Sequence, residues 1–164
     1  MKFEDKPQYK KGLIGEEIVR NILREKGWIT YKPDEGKAHY FDILATKDKK
    51  SVIALDVKTK ARFNKWAAQG INLRHYKEYL EFIKTTNIPF FLVFVDDKNG
   101  EIHIAKLDEL KNEFYPTPYI IAWELSQMKK IGTIEDKNLI DKMSQFDTRN
   151  YEYNPEKIDQ LKLF

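Results

Sequence analysis

Residues 51–60 (SVIALDVKTK) and the preceding run that contains YFDILA are two apolar stretches joined by a charged turn at Asp48, Lys49 and Lys50. Strand side chains alternate between faces, so Asp56, Lys58 and Lys60 share one side while Leu55, Val57 and Thr59 take the other. A hairpin closed at that turn pairs residues whose numbers sum to 98, and Asp42 then stands opposite Asp56. Directly opposed side chains have Cβ atoms roughly 4.5–5.5 Å apart, close enough for two carboxylates to share one divalent cation. Without a cation the pair repels.

A helix is expected at the start of the chain. Ile14, Ile18, Val19, Ile22 and Leu23 recur at helical spacing and form one apolar stripe. Glu16 lies nearer the edge of that stripe than Glu17 and can look along the sheet. Glu17 points to solvent, where Arg20 or Arg24 is a natural ion-pair partner.

Net charge is only +3, but it is unevenly spread. Residues 1–100 carry a surplus of six positive charges and residues 101–164 a deficit of three. The sharpest excess runs from Lys58 through Lys60, Arg62 and Lys65 to Arg74, with no acid between them and with Phe63 and Trp66 interleaved. A lone basic run is ordinarily a solvated surface. Beside an aspartate pair and a lysine, it suits a phosphate backbone passing the site.

The absence of cysteine removes disulfides and thiolate metal sites together, and the three histidines, His39, His75 and His103, lack zinc-ligand spacing. Oxygen ligands for Mg²⁺, with Mn²⁺ as a substitute, are the metal set on offer. No N-terminal apolar stretch reads as a signal peptide or membrane span, so a cytoplasmic location with no membrane partner is expected. With 164 residues and 41% hydrophobic content, the chain can build one sizeable core.

These positions resemble the PD-(D/E)xK nuclease superfamily, which includes restriction endonucleases and Holliday-junction resolvases. Residues 11–16 (KGLIGE) resemble its opening helix with the acidic residue. Phe41-Asp42 stands where the family has Pro-Asp, and Asp56-Val57-Lys58 stands for (D/E)xK, with Asp in place of the commoner Glu. The resemblance spans roughly residues 11–110, if domain size is a guide. It implies that Asp42, Asp56 and the Val57 carbonyl hold Mg²⁺, that Glu16 bears on the same ion directly or through water, and that Lys58 completes the catalytic set. It further implies DNA as substrate, a homodimer, and a role in recombination or repair.

The coarse order of elements agrees with an α/β fold, the restriction-endonuclease-like αβββαβ core with a mixed sheet between helices. Residues 12–26 read as a helix ended by Gly27, 28–32 as a strand, and 67–84 as a second helix. Residues 90–95 read as a buried strand, 96–100 as a turn, 101–105 as its partner and 107–114 as a short helix. In the second helix Gln69 occupies a place where several of these nucleases carry a Gln near the phosphate; an exposed helical Gln is the plainer alternative. Lys60, Arg62, Lys65, Gln69 and Arg74 are the candidate nucleic-acid contacts.

Residues 1–114 make the expected core, and residues 115–164 a C-terminal, mainly helical extension, with a strand at 119–123 and a helix at 135–146. The last five residues, QLKLF, resemble the pentapeptide that docks bacterial replication and repair proteins on the sliding clamp. Gln160, Leu161, Leu163 and Phe164 would then enter an apolar groove on that partner. The same residues would serve equally in a terminal helix packed on its own domain. The function expected is a metal-dependent DNA endonuclease, resolvase-like, with a duplex-cutting restriction or repair enzyme, or a non-catalytic nucleic-acid-binding protein, as alternatives.

Overall fold

The computed structural model describes residues 6–34 and 39–146. The chain opens with helix α1 (Pro7–Glu25), where Pro7 stands in the first turn, which needs no amide hydrogen bond. The helix thus starts five residues earlier than its apolar stripe suggests. Gly27 follows at φ 85°, a conformation that favours glycine, and turns the chain into β1 (Ile29–Tyr31). Strands β2 (Ile43–Thr46) and β3 (Val52–Thr59) form the expected hairpin in the expected register: Ile43 pairs with Leu55 and Leu44 with Ala54. Asp48 closes the turn by accepting hydrogen bonds from the amides of Lys50 and Ser51.

The segment read as one helix over 67–84 is two elements. Strand β4 (Ala68–Asn72) comes first, and helix α2 (Leu73–Thr86) begins only after Asn72, whose side chain accepts a hydrogen bond from the Arg74 amide. Asn72 is therefore an N-cap, a signal that the apolar spacing around Ile71 overrode. Helix α2 ends at Asn87 in the left-handed region, and Pro89 precedes β5 (Phe90–Val95). A turn at 96–100 leads into β6 (Glu101–Lys106). The helix expected at 107–114 is reduced to a single 3-10 turn, Leu107–Glu109, before β7 (Phe114–Thr117). Strand β8 (Ile120–Glu124) corresponds to the strand expected at 119–123, β9 (Lys129–Thr133) was not expected, and α3 (Lys137–Ser144) lies within the predicted 135–146 helix.

Six strands form the central mixed sheet in the order β1-β2-β3-β5-β6-β9, with β3 and β5 parallel and the other neighbours antiparallel. The second sheet, β4-β8-β7, holds three antiparallel strands. Alternation along β3 and β5 divides the interior into two cores. Leu55, Val57, Val93 and Val95 pack with Val19 and Leu23 of α1 and Met143 of α3. Ala54, Phe90, Leu92 and Phe94 pack with Tyr79 of α2 and with Ile71, Ile121 and Trp123 of the second sheet. Residues 115–146 thus supply strands to both sheets as well as a helix. No described helix is long and apolar enough to cross a membrane.

Two glycines mark close approaches. A Cβ on Gly15 would lie 1.8 Å from Thr59 Oγ1, so glycine lets α1 settle onto β3. A Cβ on Gly70 would meet the Ile121 carbonyl at 2.5 Å and the Ala122 Cβ at 2.8 Å, so glycine is needed where β4 crosses β8.

This gives a test of the strand. Were 67–72 helical, Gly70→Ala would stabilise the protein by about 0.5–1 kcal/mol. In β4 it should instead destabilise by roughly 1–3 kcal/mol through overpacking against backbone. Gly12→Ala, in α1 with no atom within 4 Å of the new methyl, should be neutral or stabilising. Paired thermal melts decide, and a higher melting temperature for Gly70→Ala would refute the strand.

Candidate active site

The site forms where β2 begins beside the end of β3. The Asp42 amide donates to the Leu55 carbonyl at 2.9 Å, one residue out of step with the Ile43–Leu55 pair, so Asp42 precedes β2 outside its regular ladder and is not the cross-strand partner of Asp56. Asp56 shares a face with Ala54, towards α2, and Asp42 lies near enough to feel its charge. The Asp42 Oδ2 accepts a hydrogen bond from the Val57 amide at 2.7 Å. Since the amide and carbonyl of one strand residue face the same edge, the Val57 carbonyl also points to the edge where β2 has not begun.

Lys58 is held from two sides. Its Nζ donates to Asp56 Oδ1 at 2.8 Å and lies 2.7 Å from Oδ2, outside hydrogen-bonding geometry for that oxygen. It also donates to the Tyr79 hydroxyl at 3.3 Å and stands 6.0 Å from the centre of that ring. Tyr79 is buried and stacked on Phe90, with ring centres 4.5 Å apart. Burial, and then the Asp56 charge, push its hydroxyl well above the ordinary tyrosine range, so it is a neutral partner for the lysine at any working pH.

The aspartate pair is electrostatically frustrated. Burial, followed by the Asp56 charge, raises the Asp42 carboxyl from 3.8 to about 7, against the lowering effects of Lys58 and the Val57 amide. Asp56 Oδ2 is buried without a hydrogen-bond partner. Glu16 contributes a smaller charge effect on Asp42, and its own carboxylate is held by Lys32 at 3.0 Å. Glu17 lies on the solvent side and pairs with Arg20 at 2.9 Å and Arg24 at 3.4 Å. Among the described residues, no three His, Cys, Asp or Glu side chains form a group that could hold a metal ion. The tertiary structure therefore brings together two of the three acids expected at one point, with Glu16 at longer range.

The candidate DNA contacts occupy diverse settings. Lys60 follows Lys58 on the same face of the chain, where its ammonium donates to the Gly70 carbonyl and lies 6.0 Å from the Phe94 ring centre. Burial, then the Lys58 charge, lower its pKa to about 8. Arg62 is bound to Asp96 at 2.8 Å and to Glu101. Lys65 lines an open groove beside Trp66. Gln69 lies on β4, not on a helix; it is 2% exposed, donates to the Lys60 carbonyl at 3.1 Å, and has a buried Oε1 with no hydrogen-bond partner. Arg74, in the first turn of α2, is largely exposed and lies 3.6 Å from Glu78. Gln160, Leu161, Leu163 and Phe164 lie outside the described residues.

Two neighbours of the lysine were not singled out as site residues. Tyr79 is buried on α2, and its hydroxyl finds in Lys58 the polar partner that such a group needs. His75, one turn before it, has its ring centre 6.1 Å from that of Tyr79, and burial followed by the Lys58 charge lowers its pKa.

No protein-family model and no curated protein matches the sequence. Among solved structures, the Archaeoglobus fulgidus Holliday junction resolvase Hjc superposes with a TM-score of 0.53 at 14% identity, covering 73% of this chain and 96% of the resolvase. A bacterial homing endonuclease gives a TM-score of 0.46 at 16% identity, covering 70% of this chain and 72% of its own. A nuclease from a fusselovirus gives 0.44 at 13%, covering 85% and 91%. The chain has the restriction-endonuclease-like fold its sequence resembles: a central mixed sheet flanked by helices, with a further helix near the C-terminal end of the described residues.

Proposed function

We propose that this chain is a metal-dependent DNA endonuclease, with branched DNA of the Holliday-junction type as its leading substrate. The observation that carries the reading is the convergence of Asp42, Asp56 and Lys58 at one sheet edge, in a fold shared with a junction resolvase. Duplex DNA is the nearest alternative substrate. A non-catalytic binding protein on the same fold is the alternative from another class, and the intact acid and lysine set argues against it.

The donor set suits a hard divalent cation. Two carboxylates lie together, one pushed up to about 7 by its burial and its neighbour, while Lys58 makes its ion pair with the other. A cation would relieve the repulsion between them. Asp42, Asp56 and the Val57 carbonyl would hold Mg²⁺, or Mn²⁺ in its place, with Glu16 acting through water. When bound, such an ion supplies charge neutralisation at the phosphate and a more acidic water. Lys58, kept in place by Asp56 and Tyr79, presents a fixed positive charge where negative charge develops at phosphorus. Tyr79 orients that ammonium without competing for its proton. Arg74 and Lys65 contact the backbone on either side, whereas Lys60 and Gln69 tie β4 to the site. A homodimer would place two such sites on symmetric strands, and residues 160–164 would engage a sliding clamp.

Two measurements follow. Asp56→Asn and Lys58→Ala should each lower Mg²⁺-dependent cleavage by ~10²–10³ while DNA binding persists. Cleavage by either variant at the wild-type rate would overturn the assignment, and a panel of linear, flapped and four-way DNAs would separate junction from duplex activity.

The second measurement concerns pH without metal. Because the folded-state pKa of Asp42 is raised, the folded protein binds its proton more tightly than the unfolded chain does. Stability from this group is therefore present below the unfolded value and is lost as pH rises towards about 7. Asp42→Asn should raise the metal-free melting temperature at about pH 8, by ~2–4 °C for each kcal/mol of repulsion relieved. The gain should shrink below pH 7 and reverse when Mn²⁺ is added, since the variant loses a ligand. A melting temperature unchanged by the substitution at either pH would contradict the frustrated pair.

A further inference from the structure

The segment linking β3 to β4 carries a feature the acid and lysine set does not use. Trp66 is 45% exposed, whereas Trp123 is buried and Trp28 half-buried. Its ring is held in place by Phe63, at 6.2 Å and 75° between planes, and by Phe114 of β7, at 5.5 Å and 62°. The loop around it is closed by backbone bonds: the Phe63 amide donates to the Ala68 carbonyl, the Ala68 amide to the Trp66 carbonyl, and the Leu125 amide to the Ala67 carbonyl. An exposed tryptophan on a loop fixed at several points is a rigid platform.

The ring lines an open groove of about 740 Å³ with Lys65, Asn112, Phe114, Glu124 and Ser126. Glu124 offsets Lys65 across that wall, which suits a neutral base inside the groove while Lys65 meets the phosphate backbone beside it. Asn112 offers amide donors and an acceptor, and the Ser126 hydroxyl, which donates to Glu124 at 3.1 Å, keeps acceptor capacity. An aromatic plane beside amide and hydroxyl groups is the chemistry that stacks a nucleobase and reads its edge. The position is suitable as well. Trp66 stands four residues before Gly70, so at most ~14 Å of chain separates the platform from the carbonyl that holds the ammonium of Lys60, itself two residues beyond Lys58.

We propose that this groove is a stacking subsite for one unpaired nucleobase, which would give the protein a preference for DNA with single-stranded or displaced nucleotides over fully paired duplex. The proposal rests on the nuclease reading for the nature of the polymer. It identifies the strand feature that the site selects.

The test is equilibrium binding by the full chain, without divalent metal, to a blunt duplex and to the same duplex carrying a short single-stranded flap that contains a fluorescent adenine analogue. The wild type should favour the flapped DNA on the order of tenfold, with quenching of the analogue. Trp66→Ala should abolish both the preference and the quenching while leaving blunt-duplex affinity and the circular dichroism spectrum unchanged. Trp66→Phe, which keeps an aromatic face, should retain part of each. Binding of both DNAs with equal affinity by the wild type, or a flap preference that survives Trp66→Ala, would overturn the subsite and leave the nuclease reading intact. Failure of the wild type to bind either DNA would overturn both.

Discussion

The pairing of β2 with β3 is the constraint on which the rest of the site depends. One amide-to-carbonyl bond just before β2 ties Asp42 to Leu55, and a second bond, from the Val57 amide, fixes its carboxylate beside Asp56. A slip of one residue would move Asp42 to the face of Leu55 and α1, where its charge would sit in an apolar core. The register is secured by hydrophobic alternation on both sides: Ile43, Ala45, Leu55 and Val57 must face α1, and Leu44 and Ala54 must face α2. Two apolar cores on opposite faces of the same strands thus hold one polar constellation in position.

That constellation is destabilising by itself. A buried and a half-buried carboxylate repel, and the lysine that offsets them is bound to only one. Structures keep such arrangements when the surroundings over-determine them, and such sites are where function concentrates. Here the surroundings are Tyr79 stacked on Phe90 behind the lysine, and the Gly15 contact that draws α1 tightly against β3. The second sheet also converts Lys60 and Gln69 from apparent surface groups into buried ties between β3 and β4. Part of the basic run therefore acts as internal structure, and Arg62 is likewise engaged by Asp96 and Glu101.

Legibility differed by element in a physically consistent way. The β2–β3 register, strand β5 and the end of α1 at Gly27 were readable because period-two alternation, a continuous apolar run and a left-handed glycine are local signals. Strand β4 was misread as helix because residues 67–72 gain their strand conformation from β8, some fifty residues away in sequence. Its short apolar pattern continues smoothly into that of α2, and only Gly70 and the Asn72 cap mark the boundary. Strand β9 was missed for the same reason. Its residues, KKIGT, have weak alternation and become a strand by adding to the edge of β6.

By itself, then, the sequence determined the hairpin, its register, and the side of the strand on which Lys58 stands, because these follow from alternation and a turn between neighbouring segments. Only the tertiary structure decided which third groups join them. It gave Lys58 a tyrosine from α2, held Glu16 at Lys32, buried Gln69 and left Trp66 facing solvent. Such contacts join residues distant along the chain, and their geometry arises from packing two sheets and three helices together, which no local periodicity encodes.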